Sequence, residues 1–444
     1  MRKTSRAVVL CAATAVLATA CAGGGARGGS GAVAEPPKKD DKLTLTVFSK
    51  YSDREELEVT KALNTIKSKF PNIEIKHEGN QDDDKITGAV RGGNPPDVAM
   101  TFMTDNLGQF CSSGSWQDLK GYIERDKIDL NVIPQAVREY TDFRGTRCAL
   151  PMLADVYGLF YNKDQFAAAG ITEVPKTTDQ LLDAAKRLTQ KNPDGSIKVA
   201  GFLPSMPFYN NQAQIWAPSW GARYLDGNGK SALAGSAEWK AMFEFQKKLV
   251  DFYGYDNLER FRAGLGQEYS ADHAFQQGKL AMIMDGEYRT AFIADQAPNI
   301  SFGTAPFPHS AARPDRDGGA FATGTIIGIP KGAKNPGAAW ELIKHMSLET
   351  ETLVNLSNAI KNVPSTEAAL KDPRLQITPQ FKTFIDLYGS GKLWSNPPTP
   401  IGDAHLKAVN DFAAEWQAGK VANLDEGLKK VDQQINDALA QSGK

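Results

Sequence analysis

The chain has 444 residues, with 51 lysines and arginines against 52 aspartates and glutamates and a formal charge of −1. It has no basic block and, beyond the N-terminal segment, no apolar run of membrane length, which excludes an electrostatic nucleic-acid binder and a polytopic membrane protein. At 41% hydrophobic and 23% charged residues the composition is that of an ordinary globular protein, and a body of roughly 400 residues is expected to split into two domains.

In chain order, Arg2, Lys3 and Arg6 precede an apolar run from Ala7 to Ala20. A charged start and a run shorter than the ~20 residues needed to span a bilayer read as an export signal, residues 1–20. The run ends on Cys21 and passes into "AGGGARGGSGAVAEPPKKDD". The join resembles a bacterial lipobox, in which the cysteine is lipidated and becomes the new N-terminus; Ala18 stands where the pattern prefers leucine. Ordinary signal cleavage elsewhere in the segment is the alternative. Residues 21–40 cannot bury apolar surface and are expected to form a flexible tether, with a reach of roughly 25 Å. Removing residues 1–20 leaves 48 cations against 52 anions, and no basic partner surface is implied.

Of the four cysteines, Cys11 leaves with the signal and Cys21 takes the lipid. Cys111 and Cys148 remain, and in an exported protein a pair of leftover thiols reads as one disulfide, the alternative being two buried free cysteines.

"KLTLTVFS" (42–49) is β-rich and reads as a buried strand. Asp53 and Glu56 stand at capping-box spacing, and Val59, Ala62, Leu63, Ile66 and Phe70 follow at helical intervals as one apolar stripe. "NIEIKHE" and "PPDVAMTF" (95–102) read as further strands, so the first part is a wound α/β unit. "GLFYN" and "KVAGFLP" are strands, and a helix is expected to start at Thr177 with Gln180 three residues on. "LDGNGKSAL" superficially resembles a calcium loop but lacks its alternating carboxylates and closing glutamate, and reads as a hairpin turn.

Signals for catalysis are weak. His77, His273, His309, His345 and His405 are scattered, with no HExxH or His–Cys cluster, so no metal and no cofactor is expected. No GxSxG elbow, Walker loop or GxGxxG between strand and helix is present. "GGAFATGTIIGIP" runs into a β-branched strand and reads as a close-packed bend.

Six segments in order, "GGNPPDVAM", "LPMLADVYGLFYNKDQFAAAGI…VPKTTDQLLDAAKRLT", "YLDGNGKSAL", "AFQQGKLAMIMDGEY", "GIPKGAKNPGAAWELIKHM" and "NVPSTEAAL", resemble blocks of the carbohydrate-type extracellular solute-binding proteins of bacterial ABC importers, the maltose-binding-protein-like family. The resemblance implies an α/β, two-lobe, type II-like periplasmic-binding-protein fold with hinge strands, lobe 1 taking 41–152 and 299–347 and lobe 2 taking 153–298 and 348–444. It implies a monomer that captures a carbohydrate, a di- or oligosaccharide, between its lobes and delivers it to the transmembrane subunits of an ABC permease. The membrane would be reached only through the lipid anchor, on the outer face of the cell membrane.

A sugar site needs amides and carboxylates for hydroxyls and flat rings for the C–H face, gathered at strand ends that face the cleft. Ser49, Lys50 and Tyr51 follow the first strand. Asn80, Gln81 and Asp82 follow the second, and Thr104 and Asp105 the third. By resemblance, Asp155 falls where a family member has a ligand-contacting glutamate, Tyr288 where relatives use a stacking tryptophan, and Phe208 and Tyr209 near another aromatic pair. Trp216 and Trp220 are spaced for one helical face, with stacking and packing both open. Gly318 and Gly319 would let a backbone amide approach a ligand. Tyr157, Phe160, Tyr161 and Trp340 are expected in the core.

Two other functions compete with sugar capture. Binding of glycerol-3-phosphate or a glycerophosphodiester would favour a bidentate arginine, but "NPPTPIGDAHL" carries Asp403 and no arginine. An exported glycoside hydrolase would need two carboxylates about 5–10 Å apart across the scissile bond, and no spacing flags them.

Overall fold

Alternation along Leu43–Ser49 (β1) buries Leu45, Val47 and Ser49 on one face, as period-2 patterning requires. The computed structural model describes residues 33–442 apart from 207, 209 and 210. The expected signal, Cys21, most of the tether and Tyr209 therefore lie outside the described residues. After β1 come Ile73–Glu78 (β2), Val98–Thr101 (β3), Leu150–Asn162 (β4), Gln190–Lys191 (β5) and Ile197–Phe202 (β6). Leu280–Gly286 (β7), Phe302–Ala305 (β8), Ala320–Gly328 (β9), Val363–Pro364 (β10) and Leu393–Trp394 (β11) complete the strands. They join in one curled sheet of order β2-β1-β3-β9-β4-β7-β6-β5, with β8 and β10 also on β4 and β11 on β9. The fold is the expected two-lobe α/β arrangement.

Parallel β2-β1-β3 form the first lobe's sheet, and β7 with parallel β6 form the second's. β4 joins the two. Leu150–Val156 pairs antiparallel with β9, and Tyr157–Tyr161 pairs with β7. All but one of its thirteen residues are buried, the near-continuous apolar run expected of a strand covered on both faces. Gly324 on β9 makes the approach possible, because a Cβ there would sit 2.3 Å from the Leu153 carbonyl oxygen. That accounts for the glycine-rich stretch as a close-packed crossing.

The expected lobe boundaries differ from the packing in three places. The 152/153 break falls inside β4, whose partner changes between Val156 and Tyr157. Residues 302–305 pair with the second half of β4, so part of 299–347 belongs with the second lobe. Helix Thr350–Ile360 packs on helix Asp53–Asn64, so the first lobe runs past 347. A helix crossing back this late left no mark in the local pattern.

The helix-start readings divide. Thr177 and Gln180 form the complete capping box at the head of Thr178–Leu188. Asp53 and Glu56 do not: Ser52 is the N-cap, Asp53 has φ of 51°, and Glu56 Oε1 instead accepts from Gly79 N at 3.0 Å. The stripe does face the core at Val59 and Leu63 on that helix and at Ile66 in the 3-10 turn Thr65–Ser68 that follows it. Leu225 bridges Ser231 antiparallel around Asp226–Lys230, the hairpin turn. Trp340 is buried, its Nε1 donating to Asp126 Oδ2 at 2.8 Å.

Cys111 and Cys148 are bonded, with Cα atoms 5.6 Å apart and a sequence separation of 37. A loop of that length stabilises by about 4 kcal/mol in the chain-entropy treatment. Reduction is expected to lower the thermal midpoint by several degrees, and thiol titration of the unreduced, denatured protein to find neither cysteine reactive. An unchanged midpoint on reduction, or two reactive thiols without it, contradicts the assignment.

Candidate functional site

Strand ends from both lobes meet at a cleft of about 650 Å³, within the range of small-molecule sites. The first lobe supplies Lys50, Tyr51 and Ser52 from the turn after β1, Arg54 and Glu55 from the first turn of the helix Asp53–Asn64, Asn80 from the end of β2, and Phe102, Met103 and Asp105 from the end of β3. These turns are tied together: Asn80 N donates to the Tyr51 carbonyl and Gln81 N to the Ser49 carbonyl, both at 2.8 Å. The second lobe supplies Gln212, Gln214, Glu268, Tyr269, Tyr288, Phe292 and Gln296. The crossing strands supply the floor: Asp155 and Tyr157 from β4, and Phe321, Thr323 and Thr325 from β9.

The floor is held by short contacts between lobe 1 and β9. Tyr51 Oη lies 2.7 Å from Thr325 Oγ1, and Thr104 Oγ1 lies 2.8 Å from Thr323 Oγ1. Rings stand around it. Tyr51 meets Phe102 edge-on at 4.7 Å, Tyr157 tilts against Phe321 at 5.5 Å, and Tyr269 packs near Tyr288 and Phe292 at 6.3 and 5.7 Å. Tyr269 stays 51% exposed, a ring presented to solvent beside polar groups. Such faces suit the C–H surface of a sugar. Arg54 Nε pairs with Asp295 Oδ2 at 2.7 Å, linking the helix after β1 to Arg289–Gln296 after β7.

The electrostatics are those of buried acids. Burial raises Asp155 to about 7, with the Asn362 amide, which donates to Asp155 Oδ1, opposing the shift. Burial and then the Asp155 charge raise Glu55 to about 7. Asp105 is also raised to about 7 by burial, opposed by the adjacent Asn396 amide and reinforced by Asp403. Glu287 is fully buried just behind the floor, and burial followed by Asp155 pushes it well above the carboxylate range. Its Oε2 accepts from Val156 N at 2.6 Å and its Oε1 from Val363 N at 3.3 Å. It thus ties β4, at the point where β4 changes partners, to β10. Among the described residues, no group of three or more His, Cys, Asp or Glu is placed to hold a metal ion.

Of the sequence candidates, the fold brings Lys50, Tyr51, Asp105, Asp155 and Tyr288 into one cleft, with Asn80. Among the described residues it does not bring Gln81, Asp82, Phe208, Trp216, Trp220, Gly318 or Gly319 there. Asp82 caps Asp83–Arg91 by accepting from Lys85 N, and Gln81 Nε2 donates to the Gly79 carbonyl. Trp216 and Trp220 lie on Ala213–Trp220 as spaced, but both are buried: Trp216 packs against Phe202, Phe245 and Phe307, and Trp220 against Phe245. Both rings are packed in the core and neither lines the cleft. Phe208 is buried and lines a separate cavity of about 10 Å³, too small for more than about one water. Gly318 and Gly319 sit in the turn ahead of β9 and do not line the cleft.

Sequence reasoning missed Glu55, Gln212, Gln214, Tyr269, Thr323, Thr325 and Asn362. Tyr157, read as core, faces the cleft. A signal existed for some. Gln212 and Gln214 start the same helix as the two tryptophans, and Thr323 and Thr325 alternate along β9 with residues packed behind it. Glu268 and Tyr269 lie between elements and carry no periodic signal.

A family described as "Bacterial extracellular solute-binding protein" matches residues 61–383. The maltotriose-binding protein of Pyrococcus abyssi is 24% identical over 376 residues, 82% of this chain and 76% of that one. The diacetylchitobiose binding protein DasA of Streptomyces coelicolor is 24% identical over 377 residues, 80% of each chain. Among solved structures, CpMnBP1 with mannotriose bound superposes with a TM-score of 0.81 at 24% identity, over 89% of this chain and 100% of that one. Maltose-bound MalE3 of T. maritima superposes with a TM-score of 0.73 at 21% identity, over 89% and 100%.

The buried acids make stability pH-dependent in a definite direction. Asp105 is at about 7 when folded, against the ordinary aspartate value of 3.8. Its contribution is therefore complete below the unfolded value and lost as pH rises through the folded one. Unliganded Asp105→Asn is expected to unfold at a higher temperature than the parent at pH 8, with the gap narrowing at pH 5, where the parent carboxyl is protonated. The histidines are common to both proteins and cancel in the comparison. A gap that does not change with pH in thermal unfolding contradicts this.

Proposed function

As the chain belongs to the bacterial extracellular solute-binding protein family, we propose that it is the sugar-capturing component of an ABC importer, taking a di- or oligosaccharide into the interlobe cleft. The observation that carries this is the composition of the cleft. It combines carboxylates and amides from both lobes with aromatic rings, among them the tyrosines Tyr51, Tyr157, Tyr269 and Tyr288, which is what recognition of a hydroxylated ring requires. Relatives named for maltotriose and diacetylchitobiose support the ligand class. Rotation of the lobes about β4 and β9 would enclose the sugar. The work is binding and delivery to a permease, with no bond broken.

The carboxylate-rich lining disfavours an anionic ligand, so the glycerol phosphates fall behind neutral or cationic sugars. We further propose that the protein is exported, is held at the outer face of the cell membrane through Cys21, and acts as a monomer. Among the described residues no helix is long and apolar enough to cross a membrane.

A thermal-shift screen against mono-, di- and trisaccharides, amino sugars and glycerol phosphates tests the reading. A ligand at 100 times its Kd adds about 2.7 kcal/mol to stability, enough to move the midpoint. A shift with a sugar supports it, and a shift only with phosphates refutes it. Sugar recovered unchanged after long incubation is expected; released reducing ends would show an enzyme. Asp155→Ala is expected to weaken binding of the sugar found in that screen by about 2 kcal/mol, roughly 30-fold, through lost charge-assisted hydrogen bonds. An unchanged Kd with the fold intact removes Asp155 from the site.

A further inference from the structure

The cleft is lined by five acidic side chains, Asp53, Glu55, Asp105, Asp155 and Glu268, and by two basic ones, Lys50 and Arg54. The two cations are not spread evenly among the acids. Arg54 pairs with Asp295 at 2.7 Å, donates to the Ala359 carbonyl at 2.9 Å, and acts on Glu55. Lys50 lies over the Phe102 ring at 5.8 Å and acts on Asp83.

Asp105, at the end of β3, has no cation acting on it. The groups that set its ionisation are its own burial, the Asn396 amide, the charge of Asp403, which works against it, and its own backbone amide. Asp105 is 7% exposed, faces the cleft, and its Oδ1 has no hydrogen-bond partner. A buried carboxylate with a second acid beside it and no countercharge is an unfavourable arrangement for an empty site. A sugar hydroxyl supplies only a dipole there. An ammonium supplies a full charge and up to three donors, enough to satisfy the orphaned oxygen and offset the repulsion from Asp403.

We propose that the sugar this cleft takes carries a free amine, whose ammonium docks against Asp105. The proposal rests on the sugar-binding reading and narrows it. No covalent step is involved. Asp105 is the residue that selects, and the rings and amides of the opposite lobe hold the rest of the sugar.

The test compares amine and neutral partners on the purified full chain by calorimetry. The probes are glucosamine with glucose, galactosamine with galactose, mannosamine with mannose, the β-1,4 glucosamine dimer with cellobiose and with its N-acetylated form, and maltotriose. In whichever set binds, the free amine is expected to bind at least tenfold tighter than its neutral and acetylated counterparts. Asp105→Asn should abolish that advantage, bringing the ratio of amine to neutral affinities to within about twofold of one, whatever the variant does to the neutral sugar's own Kd. Since Asn keeps the size of Asp, far-ultraviolet dichroism and thermal unfolding establish that this variant is folded. Where it is not, Asp403→Asn offers a second probe, expected to reduce the amine preference partway. Neutral or acetylated sugars binding as tightly as the amine, or maltotriose alone binding, would overturn the amine proposal and leave the sugar reading standing. Absence of binding by every sugar would overturn both.

Discussion

The molecule depends on one strand being shared between two sheets. Each lobe of an α/β protein needs its sheet covered, and a lobe that ended at the crossing would leave an open edge of unpaired backbone groups. β4 removes that edge by pairing with β9 along Leu150–Val156 and with β7 along Tyr157–Tyr161. The changeover places Asp155 and Tyr157 at the floor of the cleft, one from each pairing. Glu287 braces the changeover from behind, accepting from the backbone of both β4 and β10. A charge introduced there without a partner would be costly, so this brace works best as a neutral carboxyl, the form its burial favours.

The same burial that closes the crossing sets the chemistry of the cleft. Asp155, Glu55 and Asp105 are each held near neutrality in their titration rather than deep in the carboxylate range. A ligand that donates hydrogen bonds or positive charge to them favours their ionised forms and gains affinity in proportion. Surface pairs such as Arg54–Asp295, with half-exposed partners, contribute little by comparison, on the order of 0–1 kcal/mol. The rings give contact area and the acids give selection.

Much of this was legible in the sequence, and the limits have physical causes. β1 is rich in β-formers with weak alternation, and the helix at Thr178–Leu188 carries its capping box in the letters, so both read correctly. Residues directly after strands, such as Tyr51 and Asp105, could be placed because α/β topology puts strand ends at the cleft. Residues that serve local structure looked the same at that resolution: Asp82 follows a strand as Asp105 does, yet its carboxylate is committed to a helix start. Trp216 and Trp220 have the composition of a stacking site, but their helix turns them into the core and leaves Gln212 and Gln214 at the cleft. The lobe assignments of 302–305 and 350–360 depend on pairing with residues far away in sequence, which no local pattern encodes.

Hydrogen–deuterium exchange with and without a saturating sugar tests the central claim most directly, that the ligand is held between the strand ends of the two lobes. The account predicts new protection in peptides covering 49–56 and 102–106 of the first lobe together with 286–296 of the second, and none at 82–91 or 313–319. Protection confined to one lobe, or falling on 82–91 or 313–319, would contradict it.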